Sequence, residues 1–194
     1  MAEQPGAQRA DARRNRARIL DVAIDAFARE GLGVSVQEIA RRAGVGTGTV
    51  SRHFPAKDDL YAAIVLDRAE SLVTTGRALA ASQPPGPAFY EFIDVIAVEG
   101  ARNRAIGDAL GGAGFDIKAA AGRADQDLMG IWQSLLAGAQ AAGEVRADLT
   151  LDDVKTLVMS CCKTGDDPDA NQAAARRLLS VVAAGLRPEQ PSAD

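Results

Sequence analysis

The chain has 194 residues and a formal net charge of −4; 47% of them are hydrophobic but only 4% aromatic, which is enough for one or two domains with a mostly aliphatic core. No run approaches the ~18 apolar residues of a membrane span, the opening MAEQPGAQRADARR lacks the apolar centre of a signal peptide, and adjacent Cys161 and Cys162 suit no disulfide framework. The expectation is a cytoplasmic protein with no membrane partner and no cofactor. His53 is the only histidine, which excludes a multi-histidine metal site and a Ser-His-Asp triad elsewhere in the chain.

Charge is unevenly placed. From Arg9 to Lys57 there are ten Lys/Arg against five Asp/Glu, a local excess of five, leaving −9 on the rest of a chain whose total is −4. A basic end on an acidic body suits a protein that meets phosphate with one end only. Residues 1 to about 10, polar and containing Gly and Pro, read as a mobile arm. In DARRNRARILDVAIDAFAREG, Ile19, Leu20, Ala23, Ile24 and Phe27 recur at helical spacing and form a core face. Arg13, Arg14, Arg16 and Arg18 fall in its first turns, where they oppose the helix dipole. A nearby DNA backbone would give them partners, and Arg13 and Arg14 are assigned to phosphate contact.

Next comes SVQEIARRAGVGTGTVSRHFPAK, residues 35–57. Ser35 stands three residues before Glu38, the spacing of a reciprocal capping box. A short helix follows, with Val36, Ile39, Ala40 and Ala43 on one face, and Gly44 permits a left-handed stop. The turn at Val45 and Gly46 has the length used in helix-turn-helix units. The next helix, Thr47 to His53, can start on the Thr47 hydroxyl. Its exposed face offers Thr47, Gly48, Thr49, Ser51, Arg52 and His53, while Val50 alone points inward. Such a helix packs poorly and is suited to lying in a groove, so it reads as a DNA-recognition helix. Phe54-Pro55 ends it.

The order of these residues resembles the TetR family of transcriptional regulators. Phe27, Gly31, Val36, Ile39, Ala40, Ala43, Gly44, Val45, Gly48, Thr49, His53, Phe54, Lys57 and Leu60 carry the match, over roughly residues 13 to 65. Thr47 stands where the family often has lysine, and Ser51 where it often has tyrosine, so the operator sequence does not follow from the match. The resemblance implies that Lys57 contacts phosphate and that the helix it opens joins a DNA-binding domain to a regulatory one. For His53, the residues suggest packing beside Phe54 and the resemblance suggests backbone contact. Both readings stay open.

Beyond Lys57, Leu60, Ile64 and Leu72 give KDDLYAAIVLDRAESLVTTGRALAAS an apolar stripe, with Asp58 and Asp59 favouring its N-terminus. PPGP at 84–87 breaks the pattern. AFYEFIDVIAVEGARNRAIGDAL reads as a helix and a shorter one meeting near Gly100, and GGAGFDIKAAAG as a glycine-rich connector. DQDLMGIWQSLLAGAQAAG is a strong helix, with Leu128, Ile131, Trp132, Leu135 and Ala139 at 3–4 spacing. Two helices close the chain, at roughly 150–164 and 169–187, the first with Thr150 three before Asp153 in a capping pattern. Neither GVGTG nor GGAG follows a strand, as a phosphate loop would. The two cysteines are either small core residues or a thiol sensor.

The expected fold is all-α, about nine helices. A three-helix N-terminal domain (residues 1–57, motif 36–55) precedes a larger C-terminal regulatory and dimerisation domain (58–188) and a disordered tail (189–194). The resemblance implies a small-molecule site between the C-terminal helices and a homodimer made by the last two. Phe89, Phe92, Ile93, Phe115, Met129, Trp132, Leu136 and Val158 are the candidate lining of that site, and their character favours a hydrophobic effector. Leu151, Val154, Leu157, Cys161, Leu178, Leu179, Val181 and Val182 are candidates for the two-fold face.

The functional expectation is a homodimeric repressor on an inverted-repeat DNA operator, released by a small ligand. Ser35 and Lys57 set register on the backbone, while Thr47, Thr49, Ser51 and Arg52 read or abut base edges. An activator or effector-independent regulator is the alternative. A helical ligand-binding protein or enzyme with a vestigial motif is a further one, against which no nucleophile–base pair or cofactor loop is found.

Overall fold

The computed structural model describes residues 5–162 and 167–188, leaving aside the side chains of 5–10, 104, 105 and 168. The expected tail at 189–194 lies outside the described residues. Among those described, nine helices and no strand are found: α1 Pro5–Glu30, α2 Val36–Arg42, α3 Thr47–His53, α4 Lys57–Ser82, α5 Pro85–Gly112, α6 Ile117–Ala121, α7 Arg123–Ala141, α8 Leu151–Ser160 and α9 Pro168–Leu186. The protein is all-α.

Several boundaries depart from the sequence expectation. α1 begins at Pro5, inside the expected arm, so the arginines from Arg13 onward sit beyond the first turn, where the helix dipole has faded. α5 runs unbroken through Gly100. A Cβ there would sit 2.7 Å from Cys162 Sγ, so this glycine serves close packing and not a break. The connector after α5 holds α6, between Gly114 at φ +78° and Gly122 at φ +54°. α8 stops at Ser160 and does not continue to 164.

The chain forms two compact units, residues 1–65 with 105–120 and residues 66–104 with 121–194, so the boundary falls within both α4 and α5. The first unit thus reaches past residue 57 and takes in a later segment. Its core gathers Ile19, Leu20, Ile24 and Phe27 of α1, Ile39 of α2, Val50 of α3 and Leu60 and Ile64 of α4. Ile106 and Leu110 join them from the second segment. Tyr61 packs edge-on to Phe27 at 5.4 Å and to Phe115 at 6.0 Å.

In the second unit α5 contributes Phe89, Phe92 and Ile93, α7 Trp132, Leu135 and Leu136, and α8 Val154 and Val158 to one buried core, with Leu179 from α9. Each such large apolar side chain, fully buried, contributes ~1.5–3 kcal/mol. α4 approaches through Gly76, whose missing Cβ leaves room for Ile131 and Phe92. α8 opens on the expected reciprocal cap: Thr150 Oγ1 accepts from the Asp153 N–H at 3.2 Å, and the Asp153 carboxylate accepts from the Thr150 N–H at 2.9 Å. Among the described residues no helix is long and apolar enough to cross a membrane.

Candidate nucleic-acid interface

The turn between α2 and α3 is built by one glycine. Gly44 adopts φ +63°, a conformation that disfavours residues with a Cβ. It lets the Gly44 N–H reach the Arg41 carbonyl at 3.2 Å and the Val45 N–H reach the Ala40 carbonyl at 3.0 Å. These two bonds are the Schellman pair that ends a helix. α3 then starts at Gly46, with no side chain capping it, so the Thr47 hydroxyl does not serve as the start expected of it. The hydroxyl heads an exposed residue instead.

On α3 only Val50 is buried, fully. Thr47, Gly48, Ser51 and Arg52 are exposed, and Thr49 and His53 half-buried. Phe54 lies buried under the helix end, with the His53 ring 6.0 Å from its own. The face opposite Val50 is polar and small, with Arg52 as its long donor.

α2 is held against α1 by ions. Ser35 caps α2, accepting from the Glu38 N–H at 3.2 Å. The reciprocal half of the capping box is replaced: the Glu38 carboxylate accepts from Arg41 Nε at 2.8 Å and from Arg42 Nε at 2.6 Å. Arg42 also pairs with Glu30 at the end of α1. The Arg41 and Arg42 guanidiniums hold Glu38 far down, at about 2 against an ordinary 4.5. A carboxyl whose folded value is depressed adds stability above its unfolded value and loses it as pH falls. This contribution is therefore complete above pH 4.5 and disappears between there and about 2. In Glu38→Gln we expect lower stability of this unit at neutral pH and a flatter pH dependence across that window, measured by denaturant titration. An unchanged pH dependence would mean the pairs contribute nothing.

The arginines of α1 are distributed over its surface. Arg13 is exposed, Arg14 pairs with Asp11, and Arg18 donates to Asn15 at 3.1 Å. Arg16 stacks over the Phe54 ring at 5.7 Å, which fastens the basic stretch of α1 beside the end of α3. Lys57 turns inward: Nζ donates to the Leu32 carbonyl and lies 5.7 Å from the Phe27 ring and 6.0 Å from that of Tyr61. It ties the start of α4 to the α1–α2 loop. The Arg16–Phe54 and Lys57–Phe27 contacts were missed from sequence, since only the fold brings residues this far apart in the chain together.

In the second unit six of the eight candidate lining residues, Phe89, Phe92, Ile93, Trp132, Leu136 and Val158, share one packed core, with Met129 half-buried against it. Phe115 is not with them; it packs on Tyr61 in the first unit. Clefts of about 420 Å³ and 190 Å³ open among the described residues of the second unit, and neither is lined by any of the eight. Of the candidates for a two-fold face, Val154, Cys161 and Leu179 are buried within the chain. Leu151, Leu178 and Val182 are half-buried, while Leu157 and Val181 are exposed, Val181 by 72%. Cys161 and Cys162 are both buried. Burial pushes the Cys161 thiol up, away from the reactive thiolate, and the Cys162 Sγ–H donates to the Ala97 carbonyl at 3.4 Å. Their environment is that of core residues.

Comparison with known proteins matches two stretches of the chain. Residues 19–64 fit the model of bacterial regulatory proteins of the tetR family. Residues 84–188, more than half the chain, fit that of the SbtR-like transcriptional regulator C-terminal domain. A TetR transcription regulatory protein from Mycobacterium vanbaalenii is 43% identical, with 93% of this chain and 99% of that one aligned and a TM-score of 0.77. A TetR transcriptional regulator from Streptomyces coelicolor is 32% identical, over 90% and 99% of the two chains, with a TM-score of 0.74. A helix-turn-helix transcriptional regulator of Staphylococcus aureus shares 45% identity over 53 residues, 27% of this chain. The chain thus spans only 29% of the length of that curated relative. With a helix-turn-helix at residues 36–53 and a helical second unit, the chain belongs to the TetR family and is a helix-turn-helix transcriptional regulator.

Proposed function

We propose that the protein is a homodimeric repressor working in the cytoplasm on an inverted-repeat operator. The observation that carries this reading is α3: a helix with one buried residue, whose exposed face offers Thr47, Gly48, Ser51 and Arg52. Two such helices enter successive major grooves, with half-sites about 34–36 Å apart. Arg13, Arg14 and Ser35 set the register on phosphates, and Thr47, Thr49, Ser51 and Arg52 meet base edges. His53 and Lys57 reach the backbone only with what their packing leaves free; Lys57 keeps further N–H donors beyond the one given to Leu32. Arg52 is the candidate for a guanine, since its guanidinium matches O6 and N7 together. Arg52→Ala should lose ~1–3 kcal/mol per half-site, with specificity relaxed at one base pair. Equal loss on operator and random DNA would show that it touches only phosphate.

Dimerisation uses the apolar residues that α8 and α9 leave uncovered. Leu157 and Met159 are 39% and 40% exposed and Val181 is 72% exposed, and Leu178 and Val182 of α9 are half-buried. Val181→Asp should leave the monomer folded, shift sedimentation from dimer to monomer and weaken operator binding. An unaltered dimer would move the interface elsewhere. A small hydrophobic molecule entering the core around Phe92 and Trp132 favours a second arrangement of the helices, lowering operator affinity by its differential affinity for the two states. The absence of any buried charged residue among the described ones supports an apolar effector.

A further inference from the structure

We infer the chemical class of that effector from Trp132: an uncharged, largely apolar molecule that presents a hydrogen-bond acceptor to the indole N–H. The inference rests on reading the core around Phe92 as the ligand site. Trp132 is 3% exposed, and its Nε1 is buried with no hydrogen-bond partner among the described residues. Its ring stands edge-on to Phe92, centroids 6.1 Å apart and planes at 88°, in a core shared with Phe89, Ile93, Leu136 and Val158. A buried donor left unmade is destabilising, and phenylalanine would avoid the penalty.

Three ligand classes meet this site differently. A hydrocarbon leaves the N–H as it is. An ionised molecule would be stripped of water with no buried charge beside it among the described residues. A neutral molecule with a carbonyl or ether oxygen satisfies the donor and keeps the apolar contacts. The 420 Å³ cleft, lined by Glu70, Thr74, Arg77, Arg123 and Asp127 beside four apolar residues, differs in kind: an Arg77–Asp127 pair at 3.4 Å crosses it, and it suits a molecule that carries a charged group.

Trp132 is the only tryptophan, so the ¹⁵N-labelled full chain gives one indole resonance. Titration with octane, 2-octanone and octanoate tests the assignment. We expect 2-octanone to move the indole resonance downfield and to bind about tenfold more tightly than octane, the effect of one hydrogen bond. Trp132→Phe should bind both alike, as read by calorimetry. Equal binding of ketone and alkane to the natural chain, or a preference that survives Trp132→Phe, overturns the acceptor assignment while leaving the core as the ligand site. Binding of none of the three overturns both. Preferential binding of octanoate overturns the assignment in favour of the charged cleft.

Discussion

Replacing Gly48 by alanine should stabilise the N-terminal unit and at the same time weaken operator binding. Gly48 lies within α3, where glycine is less favourable than alanine by ~0.5–1 kcal/mol. None of the described residues lies within 4 Å of where its Cβ would be, so their packing has no use for a glycine here. The exposed helix surface is what the glycine leaves low. If α3 lies against base edges, an added methyl group on that surface meets DNA, and operator affinity should fall about tenfold or more, ~1.4 kcal/mol. The two effects have opposite signs, which separates this outcome from ordinary misfolding. Denaturant unfolding and operator titration of the same preparation measure both. Greater stability with undiminished affinity would show that this surface does not touch DNA.

Gly76→Ala should act in the opposite sense on the second unit. Alanine gains ~1 kcal/mol of helix propensity over glycine, but its Cβ would collide with Ile131 and sit 2.9 Å from Phe92 Cε2. Phe92 is fully buried and held edge-on by Trp132, so in this arrangement of the helices it has little room to yield. Overpacking of this kind costs ~1–3 kcal/mol, and the collision outweighs the propensity gain. The double variant Gly76→Ala with Phe92→Leu should be less destabilised than the two single changes added together, because the smaller side chain yields the space. Strict additivity, measured by denaturant midpoints, would place the strain elsewhere.

Both predictions rest on glycines, and glycines show where the fold was legible and where it was not. Gly44 was readable because a local rule demands it: a short amphipathic helix, then a residue permitting positive φ, then a second helix. The inward turning of Ile39 and Val50 followed from spacing alone. Gly100 was misread as a break, because its reason is a sulfur atom sixty-two positions later in the chain. The capping box at Thr150 appeared whole, while that at Ser35 lost its second half to Arg41 and Arg42, which compete for the Glu38 carboxylate. Phe115 looked like a pocket residue by composition, yet the fold returns it to Tyr61 in the first unit. Helical periodicity marked Val154 and Val181 alike as apolar. It could not separate the one that closes the chain's own core from the one left exposed, since that division depends on which helices pack behind each.

DNA reading by the exposed face of α3 is tested most directly by selection of bound sequences from random DNA by the purified protein, at two salt concentrations. We expect an enriched inverted repeat whose half-sites lie one helical turn apart, recovered at both concentrations. Binding without enrichment, fading evenly as salt rises, would contradict it: Thr47, Ser51 and Arg52 would then read no sequence.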